Sequence, residues 1–219
     1  MSGVESRVLI GLDRETSRRN FLKTAAWTGA ALSAMGIGGF GVAVRRAEAE
    51  GEYKTYEGLG DAAILQFAYQ LELLEGTFYA EGVNAGLFAD AFLEQIVAIR
   101  DHEMAHADAI ASTLGELGAE VPATPEFTFP SGTFGDAKTF LELAATFEPV
   151  GIGAYQGAAP ALESKDILAA AISIHNAECQ HRCAINILNL INPPNDLAFE
   201  VALPLPKVQA AVKPFGITG

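Results

Sequence analysis

Two four-residue motifs, Glu103-Met104-Ala105-His106 and Glu178-Cys179-Gln180-His181, share the pattern E-x-x-H, one in each half of the acidic part of the chain. On a helix, residues i and i+3 occupy one face a turn apart, so the Glu and His of each motif can reach a single point beside the axis. A second pair repeats at nearly the same offset: Glu72 is followed by Tyr79 and Glu148 by Tyr155, at a spacing of seven. The chain therefore reads as two copies of one pattern. Buried together, four carboxylates would repel one another or take up protons, and divalent cations remove that cost. Four Glu and two His form a hard-to-borderline ligand set suited to iron or manganese, with carboxylates able to bridge two ions. The set is too rich in oxygen for a closed structural zinc site.

Helices must bring these groups together. Apolar residues at three- and four-residue steps (Ile64, Phe67, Ala68, Leu71, Leu74, Phe78) predict a first helix over about 61–83. A second follows over about 90–117, stopped near Gly118. A third starts near Asp136, and a fourth runs from Ser164 to the stop at Asn192-Pro193-Pro194, with Asp136 and Ser164 as N-caps. The tail beyond adds one short helix. Between the second and third helices lies AEVPATPEFTFPSGTFG, whose three prolines and two glycines let no helix run through it. Extended, this link reaches about 56 Å, against about 42 Å for the longest helix expected here, so it can traverse a whole bundle. The expected fold is all-α, a four-helix bundle with one long crossover between its second and third helices. Glu72 lies about as far before the end of the first helix as Glu103 lies after the start of the second. Glu148 and Glu178 are matched in the same way about the turn between the third and fourth. At about 1.5 Å per residue the mismatch within each hairpin is about 3 Å, and the six groups converge at one level.

One Glu from each of two helices plus Glu-x-x-His from the other two resembles the di-metal carboxylate signature of the ferritin-like superfamily. The resemblance implies that Glu103 and Glu178 bridge two ions, that Glu72 and Glu148 are terminal, and that His106 and His181 bind one ion each. More narrowly, LQFAYQLELLEGTFY, FEPVGIGAYQGAAPAL and the tail ending VKPFG are similar to exported ferritin-like domain proteins related to plant desiccation-related proteins, over about residues 55–216.

Neighbouring residues carry further expectations. Glu75 competes with Glu72 from one turn away, and Glu72 is preferred because it carries the tyrosine seven positions on. Tyr79 and Tyr155 project to roughly the ligand face, where they could hydrogen-bond a carboxylate, be oxidised, or simply pack in the core. His102 and His175 lack the E-x-x-H relation and fit a solvated or supporting role. Cys179 and Cys183, at i and i+4, run alongside each other, which disfavours a disulfide, and they cannot make a rubredoxin-type iron centre. Pro149 directly follows Glu148 and should kink the third helix, with Gly151 and Gly153 beyond, opening room for oxygen or peroxide.

The formal charge is −13, yet the basic residues crowd into the start of the chain while the acidic ones lie almost entirely beyond it. The strongly acidic remainder repels phosphate backbones, which argues against nucleic acid, and attracts cations. The basic start explains the asymmetry: Ser17-Arg18-Arg19-Asn20-Phe21-Leu22-Lys23, a moderately apolar run, and Ala47-Glu48-Ala49 resemble a twin-arginine signal with cleavage after Ala49. The expected organisation is a signal over 1–49, a linker over 50–60, the bundle over 61–192 and a tail over 193–219. Export would be through the twin-arginine machinery to the periplasm or cell envelope, with an uncleaved membrane anchor as the other reading. Two function classes follow. One is a di-iron or di-manganese oxidoreductase or ferroxidase that meets oxygen or peroxide and an external reductant. The other is a stress-related or metal-buffering protein whose site serves stability. An oligomer is compatible with either.

Overall fold

The structure, a computed structural model, describes residues 53–218; the expected signal at 1–49 lies outside them. Among the described residues five α-helices follow one another: α1 (Gly60–Asn84), α2 (Asp90–Glu116), α3 (Ala137–Ala158), α4 (Lys165–Leu188) and the short α5 (Leu205–Val212). No strand occurs among the described residues. Both expected caps are in place. The Asp136 carboxylate accepts from the Thr139 N–H at 2.9 Å, and the Ser164 hydroxyl accepts from the Ile167 N–H at 3.3 Å. Each satisfies a first-turn donor that has no partner inside its helix.

Contacts at the two ends of the bundle fix its topology. At one end, the Asp61 carboxylate accepts the Glu163 and Ser164 N–H groups at 2.8 and 2.9 Å, tying the start of α1 to the turn between α3 and α4. There too, Gln66 donates to the Glu120 carbonyl just beyond α2. At the other end, Phe140 near the start of α3 stacks on Phe78 of α1 with ring centroids 4.3 Å apart, and meets Phe88 edge-on before α2. The segment 117–136 therefore runs the length of the bundle, as the linker's reach allows, and α3 is antiparallel to α1. On the way Phe127, Phe129 and Phe134 pack against the core.

Helix α3 continues through Pro149 to Ala158 as one element, so the expected opening beside Glu148 does not break it. Pro149 lies on the exposed face, where water can take the hydrogen bond that its ring removes. The glycines beyond it do not loosen the helix either. A side chain at Gly153 would meet Leu203 at 2.4 Å, and the Leu203 N–H donates to the Gly153 carbonyl at 2.9 Å. The C-terminal segment is thus laid against α3, and Val208, Val212, Phe215 and Ile217 complete the main core. No helix among the described residues is long and apolar enough to cross a membrane.

Candidate metal centre

All six residues singled out by the duplicated motifs meet inside the bundle. Glu103, Glu148 and Glu178 are fully buried and Glu72 is 1% exposed. Their donor atoms fall into two groups, Glu72, Glu103, His106 and Glu178 on one side and Glu103, Glu148, Glu178 and His181 on the other. Within each group the donors lie within 4.8 Å of one another, a spacing that could hold a metal ion. Glu103 and Glu178 belong to both groups. His106 Nδ1 lies 3.1 Å from Glu72, 3.3 Å from Glu103 and 3.3 Å from Glu178. His181 Nδ1 lies 2.9 Å from Glu103, 3.7 Å from Glu178 and 4.0 Å from Glu148.

His106 hydrogen-bonds Glu72 and Glu103, yet much of the remaining closeness is not hydrogen bonding. Glu103 Oε1, Glu148 Oε2, both Glu178 oxygens and His181 Nδ1 are buried without a hydrogen-bond partner, although His181 Nδ1 and Glu103 Oε1 are 2.9 Å apart. These atoms face common points rather than one another. So many orphaned atoms at one depth are far outside ordinary practice for buried polar groups, and a cation at each point would satisfy them. The donor set and its geometry therefore fit a pair of ions.

The electrostatics point the same way. Burial drives the carboxyls of Glu72 and Glu148 well above the usual range; Glu178 and Glu103 push both further, while His106 pulls Glu72 down and His181 pulls Glu148 down. Burial would raise Glu103 as well, but the neighbouring imidazoles of His106 and His181 outweigh it and hold it at about 2. For the imidazoles burial opposes protonation, yet the surrounding carboxylates override it, led by Glu103 and Glu178, raising His106 to about 12 and His181 to about 10. Without ions, protons on the two rings stand in for the positive charge that the carboxylates demand. Metal would displace them.

The tyrosines pair crosswise. Tyr79 of α1 donates its hydroxyl to Glu148 of α3, and Tyr155 of α3 donates to Glu72 of α1. A tyrosine seven positions beyond its own Glu is about 10.5 Å further along the same helix, whereas the antiparallel neighbour brings the other Glu back to its level. The role as carboxylate partner is found, between helices rather than within one.

His102 is exposed and makes a 3.0 Å contact from its Nδ1 to His181 Nε2, on the side of the ring away from the carboxylates. With a cation at His181 Nδ1, Nε2 would carry the proton and donate it to His102 Nδ1, which would fix the ring's tautomer and orientation. His175 stays apart, 3.9 Å from Cys179 Sγ, and burial lowers its pKa. Both cysteines are free, and burial raises the Cys179 thiol to about 11. Glu75, set aside in favour of Glu72, is only 4% exposed and points into the same interior. Its signal was available in the sequence, since Glu72-Leu73-Leu74-Glu75 has the same i, i+3 relation as E-x-x-H.

A family model described as "Ferritin-like domain" matches residues 60–190, from the first residue of α1 to just past α4. The chain belongs to the ferritin-like domain family. No curated protein matches the chain. In this ferritin-like domain the four long helices each contribute one carboxylate to the cluster, and α2 and α4 add the two imidazoles.

Proposed function

We propose that this protein is an exported di-metal oxidoreductase, reactive toward oxygen or peroxide, with Glu72, Glu103, His106, Glu148, Glu178 and His181 as ligands of two iron or manganese ions. The observation that carries this reading is the pair of donor groups sharing Glu103 and Glu178. Two carboxylates common to both groups are what bridging requires, and the unshared Glu and His of each group complete one ion apiece. Bound iron or manganese supplies one-electron chemistry toward oxygen species.

The chain's own contribution is positional. Full burial of the carboxylates keeps bulk water out of the site. Tyr79 and Tyr155 hold one oxygen of Glu148 and one of Glu72, leaving the second oxygen of each to face the cluster. His102 holds the His181 ring so that Nδ1 faces inward. The His106 side chain, 14% exposed, is the ligand nearest solvent and marks the side from which an ion would enter. Electrons come from outside the chain, because two cysteines cannot supply a four-thiolate iron centre. The basic, apolar start supports twin-arginine export, a route whose cargo crosses already folded.

Protein isolated from its native compartment should carry two iron or manganese ions per chain by elemental analysis, and the reduced form should be oxidised rapidly by oxygen or peroxide. Two ions inert to both oxidants would replace the enzyme with a metal-buffering or stability role. No bound transition metal, together with failure to take up added Fe2+ or Mn2+, would overturn the site itself.

A further inference from the structure

Helices α2 and α4 belong to different hairpins, and they do not close on each other over their whole length. Near the end of α2 and the start of α4 a cleft of about 420 Å3 opens between them, inside the range of about 300–1,000 Å3 typical of small-molecule sites. Its floor is apolar and buried, built from Leu65, Ile110, Tyr155 and Ile167. Exposed alanines stand on both walls, Ala109 on α2 and Ala170 on α4. The wall hydroxyls are engaged with the backbone: Thr113 donates to the Ala109 carbonyl at 2.9 Å, and Ser164 caps α4. That leaves Glu116 and Asp166, both exposed, whose carboxylates have no hydrogen-bond or ion-pair partner among the described residues. Among those residues no lysine, arginine or histidine lines the cleft.

The cleft also reaches the cluster. Tyr155 on its floor donates to Glu72. Ala109 and Ile110 lie one turn beyond His106 on α2, and Ile174, on the other wall, lies one turn before Glu178 on α4. The inner end is thus one turn from His106, the less enclosed of the two clustered imidazoles. Glu116 is seven residues beyond Ala109 and Asp166 eight before Ile174. The acidic mouth and the inner end are therefore about 10–12 Å apart.

We propose that this cleft is the centre's organic-substrate site and selects a primary amine on an unbranched apolar chain, with the ammonium at Glu116 and Asp166 and the chain running inward to Tyr155. The proposal rests on the di-metal reading above and deepens it by naming a substrate class, although the binding itself needs no ion. Charge and length decide the occupant. An aliphatic carboxylate would bring a further negative charge to a mouth that already holds two, and an alcohol would leave both unneutralised. Ammonium alone would leave the apolar floor uncovered. The Tyr155 hydroxyl is taken by Glu72, so the inner end offers a ring face to hydrocarbon rather than a free polar group.

The test titrates n-octylamine, n-octanol and octanoate into the full chain, metal-free and loaded with Mn2+, by isothermal calorimetry. The amine should bind at least about tenfold more tightly than octanoate, and more tightly than octanol. Glu116→Gln combined with Asp166→Asn should cut the preference over octanoate to less than about threefold and leave octanol binding unchanged. Ala109→Phe and Ala170→Phe should each fill the cleft and abolish binding of all three. Both positions are exposed and lie on different helices, so either variant that folds by circular dichroism decides the point. Octanoate binding as tightly as the amine, or binding that survives the filled walls, overturns the proposal. In the loaded chain the amine should alter the electron paramagnetic resonance spectrum of the bound Mn2+. An unaltered spectrum with the amine bound separates the cleft from the centre and overturns the substrate role. A chain that binds the amine but takes up no Mn2+ overturns the di-metal reading, and the substrate role with it, while leaving the amine site standing.

Discussion

The α1–α2 hairpin and the α3–α4 hairpin carry the same plan: a Glu with a tyrosine seven positions on, then a Glu-x-x-His. They differ one turn or less away from it. Glu75 in the first half answers to Gly151 in the second, and His102, which backs His181, answers to Ala177, so no matching histidine backs His106. The two histidines of the cluster are also unequally enclosed, with His106 side-chain exposure at 14% and His181 at 3%. Ligand number, charge and height are equal because both halves must meet at one level. The positions around them are free to diverge, and the divergence gives two chemically distinct ends to a symmetric cage.

The largest effect should come from the residues that erase the distinction between halves. Glu103→Ala or Glu178→Ala removes a donor from both groups, so metal content should fall from two ions per chain towards none, as read by elemental analysis after dialysis. Retention of one tightly held ion by either variant would mean that the carboxylate is not shared. Next come the unshared imidazoles. His106→Ala and His181→Ala should each leave one ion. The His181 variant should also lose more thermal stability, on the order of 1–3 kcal/mol, because it opens a buried polar site and strands the His102 contact. Equal losses would make the two ends equivalent after all.

The crosswise tyrosines offer a finer cut. Tyr79→Phe removes the partner of Glu148, and Tyr155→Phe removes the partner of Glu72. Each should cost about 1–3 kcal/mol in the metal-free protein, as for a buried group left without its hydrogen-bond partner. In competition titrations, Tyr79→Phe should weaken the His181-side ion and Tyr155→Phe the His106-side ion. The reverse assignment would place each tyrosine with the Glu of its own helix.

The smallest effect is the dependence of stability on pH. Unfolded carboxyls ionise near 4.5, whereas burial keeps Glu72, Glu75 and Glu148 protonated well above that in the folded, metal-free chain. His106 and His181, raised from 6.5 to about 12 and about 10, likewise hold more protons folded than unfolded. A state that binds more protons loses stability as pH rises, so the metal-free midpoint should fall from about pH 5 upward and keep falling towards pH 10. Glu103, held at about 2, acts only below this window. Added Mn2+ should raise the midpoint by several degrees, and by more at pH 8 than at pH 5, as ions replace protons. A midpoint that rises with pH in the metal-free chain would break this account.

The fold was legible because its signals are local. Asp136 and Ser164 cap where their types predict, and the apolar steps from Ile64 to Phe78 mark α1 within a residue of its observed limits. The six clustered residues were legible through the duplication, which needs no knowledge of contacts. What escaped depends on direction and distance between helices. Nothing in a spacing of seven tells Tyr79 to seek Glu148, since that follows from α1 and α3 running in opposite directions. His102 meets His181 across two helices, and Glu75 is admitted by a missing side chain on a third. The glycines of α3 read as weakness because Leu203, which fills the space at Gly153, lies beyond the whole of α4 in the chain.

That last contact reaches beyond packing. The ferritin-like match ends at residue 190, while the segment from Leu203 to Ile217 closes over the helix that carries Glu148 and Tyr155. A chain shortened at the family boundary would retain all six clustered residues and still lose the segment that packs over α3. The stretch from Leu203 to Ile217 is a clasp on α3, and how long any bound ion stays should depend on residues that lie outside the cluster.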